Sequence, residues 1–254
     1  MVQVKREGQI TFLHSEMLDR LPGVIHAFST RRGERNDFSL GPSDSPNPMI
    51  HMNRARFLAA IGAPGWPIIK LKQIHSGIVV DVDDTSAASV AVPGDAVVTS
   101  IPGIALAVQT ADCVPILIAH ADGRAIAAIH AGWRGTAARI ARSAVARLIE
   151  KFSLEAKSLY AAIGPHIGVC CYEVGDEVAG GIADLEAIER REGRMKPHLN
   201  LASANRRQLL EAGIPETQIE TSSLCTKCRM DLFHSYRRDG RRMGHMLSVI
   251  GIVV

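Results

Sequence analysis

Apolar, largely β-branched runs recur along the chain at GVIHAFST (23–30), GIVVDV (77–82), DAVVTS (95–100), IALAVQT (104–110), CVPILIAH (113–120), AIAAIHAG (125–132), SLYAAIG (158–164) and MLSVIGIVV (246–254). Runs of this length and composition read as strands, and there are enough of them for one large mixed sheet. Two stretches carry helical spacing instead. The first runs from Thr136, an expected N-cap, to about Phe152, with Ile140, Ala144, Val145, Leu148 and Ile149 on one face. The second covers about Ser203 to Ala212 and is stopped by Gly213 and Pro215. RRGERNDFSLGPSDSPNP (31–48) and PHLN (197–200) carry turn signals and read as loops. No repeat at solenoid periods is present. The expectation is an α/β fold: a single layered domain over residues 1–254, with a large mixed β-sheet flanked by helices.

Polar side chains interrupt the most apolar part of this pattern. CVPILIAH and GRAIAAIH flank Ala121-Asp122-Gly123, a turn signal that predicts an antiparallel hairpin. With Ala121 and Asp122 at its tip, Cys113 faces His130. With Asp122 and Gly123 there, the two are offset by two residues and still share a face, whereas an odd loop would separate them. Opposed β-carbons about 5 Å apart suit an ion with Zn–S near 2.3 Å and Zn–N near 2.0 to 2.1 Å, or a nucleophile and its base. His75, in LKQIHSGIVV, is a third candidate. Any one of these residues alone reads as core packing. A cysteine and two histidines around one point would match a catalytic zinc site with an open fourth position.

Composition narrows the alternatives. At 254 residues, 46% hydrophobic and 22% charged, the chain can bury a substantial core. Its first residues alternate apolar and charged types without a signal-type apolar stretch, so a cytoplasmic location is expected. MLSVIGIVV is too short to span a membrane, and a net charge of +3 gives little support for nucleic-acid binding. SYRRDGRR (235–242) reads as a solvated loop. Five cysteines suit no disulfide framework. Cys225 and Cys228 form a C-x-x-C without a second pair at zinc-ribbon spacing. Adjacent Cys170 and Cys171 would diverge on a strand, so these four make a poorer case for a structural metal, and whether Cys225 and Cys228 bind one is left open by the sequence. Neither a G-x-G-x-x-G nor a Walker loop occurs. HAGWRGT sets Arg134 beside a helix start, and FSTRRG sets Arg31 after a strand, where either could meet an anion.

HAFSTRRG, KQIHSGIVV, GDAVVT, TADCVPIL, AIHAGWRGT, IGPHIGVCCYEVG, LCTKC and FHSYRRDG occur in the order seen in the YfiH/YlmD (DUF152) family, also called the multicopper polyphenol oxidase or laccase family, which the chain resembles over nearly its whole length. The resemblance implies a YfiH-like fold and a metal site at His75, Cys113 and His130. It implies Zn2+ as the ion, with copper as the alternative, and small-molecule partners: a nucleoside and phosphate, with no nucleic acid and no membrane. The implied chemistry is phosphorolysis of adenosine, inosine, guanosine and methylthioadenosine, and deamination of adenosine. For deamination, Asp112 is the nearest acid able to shuttle a proton. For phosphorolysis, Arg31 and Arg134, with Gln73, are the substrate- and phosphate-binding candidates. Three rival readings are a copper phenol oxidase, a hydrolase editing cell-wall peptide precursors, and a metal-stapled binding protein. Against the first, the ten histidines are scattered and form no H-x-H pair. His245 stands where the family commonly has arginine, so Arg241 or Arg242 would have to substitute.

Overall fold

All eight apolar runs contain strands in the computed structural model, which describes residues 2–34, 37–42, 46–84, 92–182, 186–190 and 195–254. The strands are β1 (Val2–Glu7), β2 (Ile10–Ser15), β3 (Val24–Ser29), β4 (Ile68–Lys70), β5 (Val79–Asp81), β6 (Ala96–Thr99), β7 (Ala105–Thr110), β8 (Val114–His120), β9 (Ile126–Ala131), β10 (Leu159–Ile163), β11 (Ile188–Glu189), β12 (His198–Leu199), β13 (Ile219–Thr221) and β14 (Met246–Ile252). The helices are α1 (Pro48–Ala60), α2 (Trp133–Ala137), α3 (Ile140–Phe152), α4 (Asp176–Gly180), α5 (Leu201–Glu211) and α6 (Tyr236–Asp239).

The mixed sheet expected from sequence is divided into two six-stranded sheets, ordered β1-β2-β3-β14-β7-β4 and β13-β10-β8-β9-β6-β5. Each is mostly antiparallel with parallel pairs toward an edge: β4 with β7 in the first, β5 with β6 and β10 with β13 in the second. The sheets pack face to face. Phe28, Leu106, Val108 and Ile250 of the first meet Val97, Leu117, Ala128 and Ala162 of the second. On the outer face of the second sheet, Ile116, Ile118 and Ile129 pack against Ala144, Val145 and Leu148 of α3 and Leu209 of α5. Beyond the first sheet, Phe12, Ala107 and Val249 pack on Phe57 and Leu58 of α1. The result is four layers, and β8 buries every residue because both of its faces are covered.

Three local readings change. The helix expected from Thr136 to Phe152 is two helices, α2 and α3, divided at Arg139, whose φ of +60° is left-handed. Thr136 is no cap. It is buried inside α2, its N–H donates to the Gly132 carbonyl (2.8 Å), and its hydroxyl accepts from Asn205 Nδ2 (2.9 Å). The second helix starts earlier than expected, at Leu201, because Asn200 caps it by accepting from the Ser203 N–H. PHLN holds the short strand β12, and α1 begins inside the stretch read as loop. The Asn-Pro pair that signalled a turn there is an N-cap followed by proline in the first helical turn. Residues 35–36 and 43–45 of that stretch lie outside the described residues. Among the described residues no helix is long and apolar enough to cross a membrane.

Candidate metal centre

Two connections pass from the first sheet to the second, β4 to β5 and β7 to β8, and each carries one candidate ligand. His75 lies on the first and Cys113 on the second, immediately before β8. His130 is in β9, the antiparallel partner of β8. Their register pairs Pro115 with His130 and Val114 with Ala131. This is the offset alternative, so Cys113 and His130 are not directly opposed but share the face turned toward the first sheet. Continued past the ladder, the register sets Cys113 across from Gly132. Ligand atoms of His75, Cys113 and His130 lie within 4.8 Å of one another. Cys113 Sγ is 4.0 Å from His75 Nε2, and the imidazole rings meet edge to face with centroids 4.8 Å apart.

Asp95, fully buried just before β6, holds this arrangement. Its Oδ1 lies 2.8 Å from His130 Nδ1, which leaves Nε2 of that ring for the ligand cluster. The same carboxylate accepts the backbone N–H groups of Ile74 (3.3 Å), His75 (3.0 Å) and Ser76 (2.6 Å), and the Ser76 hydroxyl (2.7 Å). His75 adopts a left-handed φ of +59°, and its N–H is held by Asp95. Burial raises the Asp95 pKa, but the His130 and Ser76 donors outweigh it and hold the carboxyl well below the usual carboxylate range. Burial likewise opposes ionisation of the Cys113 thiol, yet the His130 charge and the His130 and His75 hydrogen bonds bring it down to about 6. Against its own burial, His130 is raised to about 9 by Cys113 and Asp95.

One thiolate and two imidazoles form a donor set suited to zinc or copper. Three protein ligands leave a coordination position open. Gly132 makes room for the cluster: a β-carbon there would lie 2.8 Å from His75 Cδ2 and 3.1 Å from Cys113 Sγ. The residues therefore fit a metal ion. Sequence reasoning had not singled out Asp95, although an acid opening the otherwise apolar run DAVVTS was the available signal.

The cluster opens into a cavity of about 960 Å³. Trp133, Tyr172 and Tyr236 give it aromatic walls, and Lys70, Lys72, Arg134 and Arg237 give it positive charge. The Arg134 guanidinium stacks over Trp133 at 4.4 Å, and that of Arg237 over Tyr172 at 5.2 Å. Arg237 also donates to the Glu173 carbonyl (2.9 Å).

The remaining sequence candidates sit differently. Arg31 is absent from the cavity wall and instead pairs with Asp37 (3.0 Å) and donates to the Met230 carbonyl. Gln73 lines the cavity, but its amide donates to the Gln109 carbonyl (2.9 Å) and accepts the Gln109 N–H (2.7 Å), as a neighbouring strand would. Asp112, at a φ of +98°, is buried. Its carboxylate accepts the Thr226 hydroxyl (2.6 Å), the Ser235 hydroxyl (3.0 Å) and the Arg237 N–H (2.6 Å), tying the segment between β13 and β14 to the connection that carries Cys113.

SYRRDGRR is not a solvated loop. Ser235 caps α6, Arg237 lines the cavity, and Arg238 donates to the Thr226, Lys227 and Phe233 carbonyls. His245 is on the cavity wall, whereas Arg241 and Arg242 are not. The four other cysteines also depart from expectation. Residues 170 and 171 lie in a turn rather than a strand, so both side chains reach Cys228, and Cys170, Cys171, Cys225 and Cys228 converge within 4.8 Å.

The profile of a family described as multi-copper polyphenol oxidoreductase laccase matches residues 25–253. A purine nucleoside phosphorylase of Deinococcus radiodurans is 39% identical over 244 residues, covering 90% of this chain and 89% of that protein. Adenosine deaminase RL5, from an unknown prokaryotic organism, is 34% identical over 258 residues, covering 92% and 97%. The crystal structure of YlmD from Geobacillus stearothermophilus superposes with a TM-score of 0.88 at 30% identity and covers all of both chains.

Proposed function

Because the chain belongs to the multi-copper polyphenol oxidoreductase laccase family, and its relatives include proteins named for purine nucleoside chemistry, we propose that it is a zinc-dependent purine nucleoside phosphorylase that also deaminates adenosine. The observation that carries this reading is the convergence of His75, Cys113 and His130 at the wall of a cavity lined by both aromatic rings and cations. A divalent ion held by the three ligands supplies Lewis acidity to the reacting centre.

The chain's own residues do the rest. Asp95 fixes the His130 tautomer and the His75 loop, so the ligands need little reorganisation. Trp133 and Tyr172 offer flat faces to a purine. Arg134 and Arg237, with Lys70 and Lys72, receive the phosphate dianion. In phosphorolysis a phosphate oxygen bonds to ribose C1′ as the C1′–N9 bond breaks. The bond's electron pair leaves with the purine, which takes up a proton, and ribose 1-phosphate is released. Asp112 acts as a positioning residue, holding the Arg237 segment against the Cys113 connection.

The test is chromatography of purified protein incubated with adenosine, inosine, guanosine or methylthioadenosine, with and without phosphate. Phosphate-dependent release of free base and of the sugar 1-phosphate (ribose 1-phosphate, or 5-methylthioribose 1-phosphate from methylthioadenosine), together with inosine and ammonia from adenosine, is expected, and Cys113→Ala should abolish both reactions. Turnover of a phenol in proportion to bound copper, with no product from any nucleoside, would overturn the proposal in favour of the oxidase reading.

A further inference from the structure

β10 and β13 are parallel neighbours, so the chain leaves both at the same end of the sheet. The segments that follow stay paired. Ser222 N–H donates to the Ile163 carbonyl (2.8 Å), Thr226 N–H donates to the His166 carbonyl (2.9 Å), and His166 bridges Cys225. This pairing sets the turn holding Cys170 and Cys171 against the turn holding Cys225 and Cys228. Cys228 Sγ lies 3.7 Å from Cys170 Sγ and 3.4 Å from Cys171 Sγ, and all four sulfurs are within 4.8 Å of one another. Thiolates held about 2.3 Å from a tetrahedral zinc ion sit about 3.8 Å apart, whereas a disulfide requires about 2.05 Å.

Two further features suit a thiolate cluster. The Gly168 N–H donates to Cys225 Sγ (3.2 Å), which favours the ionised sulfur. Gly168 also leaves the sulfurs room, since a β-carbon there would lie 3.2 Å from Cys170 Sγ and 3.2 Å from Cys225 Cβ.

We propose that Cys170, Cys171, Cys225 and Cys228 bind a structural Zn2+ ion, distinct from the ion at His75, Cys113 and His130. Its uptake releases the four thiol protons to solvent. Four protein ligands close the coordination sphere, so the ion holds structure and leaves no position for substrate. What it holds is the cavity wall: Tyr172 follows Cys171 and lines the cavity, and Thr226 follows Cys225 and donates to Asp112.

The deciding measurement is elemental analysis of the full chain expressed with zinc and purified under reducing conditions. Two zinc ions per chain are expected in the wild type and one in Cys113→Ala, whatever the nucleoside assays return. Cobalt substitution of the wild type, which needs no variant to fold, should add the intense charge-transfer bands of a four-thiolate tetrahedral site, and those bands should persist in Cys113→Ala. Zinc-free Cys113→Ala protein lacking those bands after cobalt loading, or a Cys171–Cys228 disulfide in the reduced preparation, would overturn the proposal.

Discussion

Asp95 Oδ1 lies 2.8 Å from His130 Nδ1 while the same carboxylate receives the His75 N–H, so one buried acid orients two ligands from different elements. Removing a carboxylate behind a metal-binding histidine typically weakens metal affinity by about 10- to 100-fold. Asp95→Asn keeps the volume but turns an amide donor toward groups that are themselves donors. Chelator competition should show at least about a tenfold loss of zinc affinity in the His75/Cys113/His130 site, with activity restored in part by excess zinc. Wild-type affinity in this variant would remove Asp95 from the role assigned to it.

Gly132 tests the space around the cluster. A β-carbon at this position would press on His75 Cδ2 at 2.8 Å and Cys113 Sγ at 3.1 Å, inside a tightly packed sheet end. Overpacking of this kind costs about 1–3 kcal/mol, and here the displaced atoms are the ligands. Gly132→Ala should therefore lose metal and activity together while keeping native circular dichroism. Gly180→Ala, where nothing lies within 4 Å of the added carbon, is the control and should match the wild type in both.

Much of the site was legible because strand parity is arithmetic. Either even loop at Ala121–Gly123 puts Cys113 and His130 on one face, and the observed register is the offset one. What sequence could not supply was contact between distant segments. The sequence shows Asp95 only as an acid opening an apolar run; its partners at residues 74–76 and His130 are distant in sequence. Cys170 and Cys171 read as divergent because a strand was assumed where the chain turns. The single expected sheet became two because runs buried on both faces carry no mark of which layer they join. Gln73, a substrate-binding candidate from sequence, lines the cavity, but its amide pairs with the Gln109 backbone.

Arg134 separates the two proposed reactions. It stacks on Trp133, and among the described residues its guanidinium makes no hydrogen bond, which leaves its N–H groups available to an anion. A hydrogen bond to a charged group contributes about 1.5–3 kcal/mol, a factor of about 10 to 100. In Arg134→Ala the KM for phosphate should rise by about that factor, while kcat/KM for adenosine deamination, which uses no phosphate, should change little. Steady-state kinetics with phosphate varied at fixed nucleoside reads the difference, and equal losses in both reactions would count against a phosphate role.

Acid stability should be governed by buried neutral histidines rather than by the metal ligands: burial lowers His166 and His245 as well, and His26 and His234 most clearly. Burial pushes the last two imidazoles down to about 4, against the partial opposition of Asp19 for His26 and Asp37 for His234. His26 must also be neutral to accept the Ser15 N–H at 2.8 Å. With folded values below the unfolded value of about 6.5, the unfolded chain binds more protons at acid pH. Stability is then intact above about pH 6.5 and falls as the pH drops toward 4. At about 1.4 kcal/mol per unit, His26 and His234 each account for a loss on the order of 3 kcal/mol.

Cys113 and His130 shift in opposite senses, so in the metal-free protein the pH dependences of their two stabilising contributions largely offset one another. The His130 contribution is present below about pH 6.5 and lost as the pH rises through about 9, while that of Cys113 is present above about 9 and lost as the pH falls through about 6. Urea unfolding of metal-free protein at pH 7.5, 5.5 and 4.5 should therefore show the acid loss in the wild type and a clearly smaller loss in His26→Gln, whose side-chain amide can still accept the Ser15 N–H without titrating. An unchanged slope in that variant would assign the acid lability elsewhere.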